Sequence, residues 1–341
     1  MHTYILKRVL LMPLMLIGIT LLSFLLSHAI PADPVASNLG ELAASDPIVV
    51  AAFRKQWGLD RSFHEQYLIY VRNLLHGDLG ISISTRQPVG DELRRRVPAT
   101  IELAVPAMAI GIVVGIPMGI VAAVHRGRSL DQVARVLTIL GASMPLFWLG
   151  LIAVFVFYFY LGIVPAPGRL SASLLPPPFW TGILPLDALL ADRFDAVADW
   201  ARHLILPACV LSVHSLARIT RLMRGSMLEA LGEDYVRTAR AKGLPRPRVF
   251  AHHAARNSLI PVITVVGLSF GDLLAGAVIT ETVFSWPGVG SYAFSSATSL
   301  DFPAILGVGV VVAMIYIVVN LLVDVTYAFV DPRIRVGQPG R

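Results

Sequence analysis

The chain reads as an all-α integral membrane protein: six transmembrane helices, with a helical insertion between the first two. Three observations lead there. Of its 341 residues 55% are hydrophobic and only 15% charged, with a mean hydropathy of +0.70, whereas a soluble domain carries about 25% charged residues. Six apolar segments, near 9–30, 100–124, 136–164, 203–222, 259–283 and 304–330, reach the roughly 20 residues that a helix needs to cross the hydrocarbon core. The excess of basic over acidic residues, +6 in formal charge, sits beside these runs. In a soluble protein such a balance would suggest nucleic acid, but here membrane topology explains it.

The first span follows Lys7-Arg8. Its apolar stretch is longer than the core of a secretory signal, and the PADP after it offers no small-x-small cleavage site, so we read it as a retained anchor. The segment 31–98 contains Pro31, Pro34, Pro47, GLD at 58–60 and GDLG at 77–80. Between 50 and 75, Phe53, Trp57, Tyr67 and Tyr70 recur with helical periodicity, which predicts an ordered helical cap. In the second span Gly111, Gly115 and Gly119 form a small-xxx-small face suited to close helix packing. The segment 165–202 opens with PAPG, contains Pro176 to Pro178, and shows only turn signals. The single cysteine, Cys209, lies in an apolar run, cannot form an intrachain disulfide, and is expected to be a small buried hydrophobe.

Orientation follows from the basic residues. With the N-terminus in the cytoplasm, the most basic loop, between the fourth and fifth spans, is also cytoplasmic, as the positive-inside rule requires. Arg94, Arg95 and Arg96 then fall outside, close to the second span. Inverting the molecule would expose the larger basic set of the fourth loop instead.

That fourth loop carries the most information. The stretch from Asp234 to Lys242 favours helix, with an acid at its start and bases toward its end to match the macrodipole. Gly243 supplies a stop, Pro245 and Pro247 stiffen a turn, and 249–258 can form a second helix leading into the fifth span. Tyr235, Ala239 and Lys242 are expected on one face of the first helix, and Arg248, His252 and Arg256 on one face of the second. That second stripe has two readings: orientation charges reaching toward headgroups, or part of a docking surface. A bent helix–glycine–helix asks for more than orientation does, and suggests an element that receives force from a soluble partner.

Three polar residues lie inside apolar runs. Asp272, in the fifth span, would be costly facing lipid, so it faces a pathway or is held by a neighbouring helix. It has no basic partner in its own span. His214 in the fourth span and Asn320 in the sixth are either pathway residues or interhelical hydrogen-bonding groups. Catalytic and metal-binding signatures are missing from the sequence. None of Lys7, Lys55 and Lys242 follows a glycine, so there is no phosphate loop. There is no HExxH, paired CxxC or nucleophile elbow, the GLSFG at 267–271 lying within an apolar span and not at a strand-to-helix turn, and the adjacent His252-His253 make a poor chelate. The chain is expected not to be an enzyme.

The fourth loop resembles the EAA loop of ABC importer permeases: EAA, three residues, a glycine, nine residues, and an I-x-L-P-like element. Gly243 stands at the glycine, Arg237-Thr238-Ala239 at EAA, and His253-Ala254-Ala255-Arg256 at the last element. Only the alanine at 239 survives from EAA, and Arg256 replaces the proline. The rest of the chain, in order and over nearly its whole length, is similar to the peptide-type branch of these permeases. The matching stretches are YILKRVL, PADP, GLD with Gln66-Tyr67, GDLGIS, RVPATIEL, SMPLFW at 143–148, ETVFSWPGVG at 281–290, and NLLVD followed by DPRIR.

The resemblance implies the type I ABC importer permease fold, with an N-terminal end and first helix (1–30), an extracytoplasmic insertion (31–98), a five-helix core (99–330) holding the coupling loop 223–258, and a cytoplasmic tail (331–341). It implies inward translocation of dipeptides or short oligopeptides by alternating access, in a bacterial inner membrane with both termini cytoplasmic. The implied partners are a second, homologous permease forming a heterodimer, two ATPase subunits, an extracytoplasmic peptide-binding protein and membrane lipid, with no nucleic acid. No cofactor is expected in this chain, ATP and Mg being bound by the ATPases. Asp234, Tyr235, Arg237, Thr238, Ala239, Arg240, Ala241, Lys242, Gly243 and His253 become the ATPase-coupling residues, and Asp272, His214 and Asn320 the candidate pathway. Nickel chelates, glutathione or another small solute are alternative cargoes within the same family. From other classes, a membrane-embedded enzyme or self-contained channel would need converging acid, base or metal groups that the sequence does not offer, and a secondary transporter would need its own ion-coupling site.

Overall fold

The computed structural model describes residues 2–29 and 45–330. The PADP motif, the tail 331–341 and its DPRIR lie outside the described residues. Every extended regular element described is helical, with one isolated bridge between Ile81 and Pro88. In chain order the helices are α1 (His2–Ala29), α2 (Pro47–Gln56), α3 (Phe63–Leu75), α4 (Val89–Val124), α5 (Ser129–Ser143), α6 (Leu146–Ala153), α7 (Leu184–Leu190), α8 (Phe194–Gly232), α9 (Asp234–Ala241), α10 (Arg256–Val283), α11 (Val289–Thr298) and α12 (Phe302–Val330). π-helical turns extend α6 over Val154–Tyr160 and lead into α10 over Val249–Ala255.

The apolar stretches dictate these lengths. Val89–Val124, Phe194–Gly232, Arg246–Leu274 and Phe302–Leu321 are each long and apolar enough to cross a membrane. The pair α5 and α6 makes a fifth crossing if the two are one broken span, and α1 contributes the apolar stretch Met12–Leu25. The expected third span, 136–164, is therefore not one straight helix: the chain bends by 105° between Ser143 and Leu146. Pro145 has no amide hydrogen and forces the residue before it out of the helical region. Met144 accordingly sits at φ −80°, ψ 129°.

The described residues divide into two compact units, one of Ile101–Trp286 with 318–330, the other of 2–29 and 45–100 with Pro287–Ile317. The first is organised on α8, whose Leu211, Ile219, Met223 and Met227 are fully buried. The glycine face of α4 meets it directly: Cβ atoms added at Gly111, Gly115 and Gly119 would stand 2.8 Å from Ser215 Oγ, 3.1 Å from Ile219 Cγ2 and 2.7 Å from Met223 Cβ. Only hydrogen fits there, so the packing expected of these glycines is the packing found. Thr220 Oγ1 seals the contact by donating to the Gly115 carbonyl at 3.2 Å. α5 is tied to α8 by Asp131, which accepts from Arg224 at 2.6 and 2.9 Å and from the Gly127 amide at 2.9 Å.

The segment 165–202, for which only turns were expected, is built around carboxylates and contains α7 and the start of α8. Asp187 accepts from the amides of Thr181 and Gly182 at 2.8 and 2.9 Å and from the Thr181 hydroxyl at 2.8 Å. Asp199 accepts from both the amide and the hydroxyl of Ser171 at 2.7 Å. Leu184, Ala188 and Ala196 form a small core beneath, covered by Leu170, Val197 and Trp200. Single acids that bind scattered amides and hydroxyls carry no periodic signal, so this order was invisible to pattern reading.

In the second unit, Asp46 caps α2 by accepting from the Ile48 amide at 2.9 Å, and Glu65 reaches back to the Ser62 amide at 3.2 Å to close the start of α3. The expected aromatics do the packing: Phe53 stands with Trp57 and Ile83, and Tyr67 meets Phe24 of α1 at 5.3 Å between ring centres. Arg96, on the first turns of α4, pairs with Glu92 at 3.0 Å and lies 4.6 Å over the Tyr292 ring. One of the three awkward arginines is thus held by protein and does not report topology alone.

Candidate functional site

The fourth loop begins where Glu233, extended at φ −71° and ψ 151°, separates α8 from α9. Within α9 the Thr238 hydroxyl donates to the Asp234 carbonyl at 2.9 Å. Asp234 and Arg237 pair at 3.2 Å with side chains 92% and 79% exposed, a contact that adds little stability. The helix stops on a left-handed glycine. The Gly243 amide donates to Arg240 at 3.0 Å and the Leu244 amide to Ala239 at 3.4 Å, the paired bonds of a Schellman motif, with Gly243 at φ +75°. The space where a Cβ at 243 would stand is open.

α9 buries Val236 and Ala239, one turn apart, toward α8 and the π-helical turns. Asp234, Tyr235, Arg237, Thr238, Arg240, Ala241, Lys242 and Gly243 are exposed. This corrects the expectation that Tyr235, Ala239 and Lys242 share one face: Ala239 points inward while Tyr235 and Lys242 are free. An eight-residue helix must bury something to dock, and Val236 with Ala239 is its only apolar pair at a spacing of three. Farther on, Val249, Ala254 and Ala255 are buried, whereas Arg248, His252 and Arg256 are exposed and His253 is half-buried. The His252 and His253 rings stand edge to face, 5.5 Å apart. Among the described residues no group of three or more His, Cys, Asp or Glu side chains is placed to hold a metal.

A second site lies between α6, α8 and α10. A cavity of about 340 Å³ is lined by Leu146, His214, Arg218, Ser269 and Asp272, among others. Helical spacing puts His214 and Arg218 one turn apart on α8, and Ser269 and Asp272 one turn apart on α10. Arg218 Nη1 donates to Asp272 Oδ2. The Asp272 side chain is 62% exposed and the Arg218 side chain 45%. Ser269 Oγ is buried with no hydrogen-bond partner. Asp272 and His214 thus share one cavity, while Asn320, half-buried on α12, does not line it. Arg218 escaped the sequence reading because a base near the end of an apolar run looks like an orientation charge. Its place four residues after His214, on the same helical face, was the available signal. Cys209, expected to be buried, is exposed.

The sequence bears a family relationship that this geometry leads one to expect. Residues 115–336 match the family described as binding-protein-dependent transport system inner membrane component, and residues 1–104 match its N-terminal counterpart. The chain belongs to this permease family. The permease is 48% identical over 324 residues to the probable D,D-dipeptide transport system permease protein DdpB of Escherichia coli K12, covering 95% of each chain. It is 45% identical over 338 residues to the dipeptide transport system permease protein DppB of the same strain, covering 98% of this chain and 99% of that one. Identity is also 45% over 335 residues to the di/tripeptide transport system permease protein DppB of Pseudomonas aeruginosa UCBPP-PA14, covering 98% and 99%. Among solved structures, the MetNI methionine ABC transporter in an inward-facing crystal form matches with a TM-score of 0.50 and 15% identity, over 70% of the permease and 96% of that chain. The likeness carries the fold: the permease has the all-helical type I ABC importer architecture.

Proposed function

We propose that this permease moves dipeptides or short oligopeptides inward across a bacterial inner membrane by alternating access, driven by separate ATPase subunits. The near end-to-end similarity to dipeptide permeases is the observation that carries the reading. The assembly contains a second, homologous permease, two ATPases and an extracytoplasmic peptide-binding protein. ATP and Mg belong to the ATPases, since the chain has no phosphate loop.

Within this reading α9 is the coupling helix. Its exposed residues from Asp234 to Lys242 enter a cleft of one ATPase, with Val236 and Ala239 transmitting the push to α8 and the turns before α10. His253 supports the joint from the following turns. Lipid-lying helices carry a large continuous apolar face, which α9 lacks. The domain plan is an insertion over 31–98, a core over 99–330 with the coupling loop at 223–258, and both ends in the cytoplasm. Asp272 and His214 line the pathway at their shared cavity, and Asn320 of α12 contributes to it outside that cavity.

The test is reconstitution of the complete complex in liposomes. Uptake of a labelled dipeptide is expected only with both ATP and the binding protein. Uptake without ATP, or nucleotide turnover by the purified permease alone, would overturn the assignment. Cysteines introduced by Ser62→Cys and Ala241→Cys should label from opposite sides of the membrane.

A further inference from the structure

The Arg218–Asp272 pair does not have the character of a structural staple. Two opposite charges that only fasten α8 to α10 would be shielded between them, whereas these remain about half exposed and line an open cavity. The same wall holds Ser269 Oγ, buried and without a partner, and His214 a turn from Arg218. A buried hydroxyl left unpaired asks for a hydrogen-bonding guest. The volume, about 340 Å³, falls at the lower end of the range for small-molecule sites.

Charge balance identifies the guest. A pathway group of one sign at membrane depth holds its counter-ion too tightly to release it, and conduction needs binding weak enough to leave. The Arg218–Asp272 pair is neutral overall but strongly dipolar. A zwitterion laid along it exchanges one protein ion pair for two protein–solute pairs. When the solute departs, the original pair re-forms, so neither state leaves an uncompensated charge. The guanidinium fork of Arg218 suits a carboxylate, and the Asp272 carboxylate suits an ammonium.

We propose that Arg218 and Asp272 form a zwitterion subsite on the translocation pathway, taking the carboxylate and the ammonium of a peptide respectively, with Ser269 and His214 as hydrogen-bonding neighbours. The proposal rests on the reading that the permease carries peptides.

The experiment uses the complete complex in liposomes and three dipeptides with free termini: alanyl-alanine, alanyl-lysine and alanyl-aspartate. Each variant's uptake rate is divided by the wild-type rate for the same peptide, which cancels the binding protein's own preference. Arg218→Gln leaves a negative subsite and should raise the lysine-to-aspartate ratio about tenfold, while Asp272→Asn should lower it about tenfold, the scale of one charge pair in a partly desolvated site. Both should slow alanyl-alanine, with the ATPase response to loaded binding protein retained. If those variants fail to assemble, His214→Arg adds a positive charge beside the intact pair and should shift the ratio in the direction of Asp272→Asn. Equal losses for all three peptides would mean that the pair only holds α8 to α10, and would overturn the proposal, as would unchanged ratios. A wild-type complex that carries none of the three overturns the peptide reading itself, and the subsite with it.

Discussion

Glu102 and Arg169 meet in a two-pronged ion pair: Arg169 Nε donates to Glu102 Oε2 at 2.9 Å, and Nη2 donates to Oε1. The side chains are 2% and 16% exposed, and Trp200 Nε1 also donates to the carboxylate at 3.1 Å. The pair joins α4 to the segment before α7. Glu102→Gln would strand the Arg169 charge, and removing one partner of a buried pair costs about 3–5 kcal/mol. Thermal unfolding in detergent should show the loss. The double change Glu102→Leu with Arg169→Met should lose much less, because it leaves no orphaned charge.

Close packing on α8 predicts a contrast between two glycines. A Cβ at Gly119 would lie 2.7 Å from Met223 Cβ and 2.8 Å from the Thr220 carbonyl oxygen, and backbone cannot move aside cheaply. Gly119→Val should destabilise by about 1–3 kcal/mol or more. Gly225 is inside α8 with nothing within 4 Å, so Gly225→Ala should stabilise the isolated chain by about 0.5–1 kcal/mol through helix propensity. Melting temperatures moving the same way would contradict this packing account.

Gly243 should matter through backbone conformation alone, since φ is +75° and its surroundings are open. Gly243→Val imposes a left-handed strain of about 1–2 kcal/mol, while asparagine tolerates that region. In the full complex Gly243→Val should uncouple ATP hydrolysis from uptake or release the ATPase, and Gly243→Asn should retain most activity. A valine variant that assembles and transports at the wild-type rate would sink the docking role of α9.

Asp187 predicts an acid dependence. Burial pushes its carboxyl upward, but hydrogen bonds from Thr181, Gly182 and Trp180 outweigh that and hold it below the usual range. A carboxyl with a depressed folded value stabilises fully above its unfolded value, about 3.9, and loses that contribution as pH falls through the folded value. The melting difference between wild type and Asp187→Asn should be flat at neutral pH and shrink below about pH 4. A difference that grows on acidification would show the sign to be wrong.

Much of the architecture was legible before folding was considered. Apolar runs near the length of a bilayer crossing marked the helices, the glycine face on α4 marked a tight contact, and Gly243 followed by Pro245 marked the end of α9. The bend at Pro145 carried a local signal as well, which counting apolar length alone passes over. The segment 165–202 carried only turn signals, because its order rests on Asp187, Asp199 and Glu102, whose hydrogen bonds to scattered partners follow no repeat.

Hydropathy and helix-stopping chemistry are properties of neighbours along the chain, so the sequence by itself determined the class, most helices and the break after α9. Partnership between charges is a property of packed faces. Arg218 finds Asp272 across 54 positions, Arg169 finds Glu102 across 67, and Arg224 finds Asp131 across 93. Only tertiary structure decided these pairs, and with them that Ala239 turns inward and that Asp272 shares a cavity with His214 but not with Asn320. The reason is steric: which helix faces approach depends on fits such as Gly115 against Ile219, and no run of neighbouring residues encodes the shape of a surface that lies a hundred residues away.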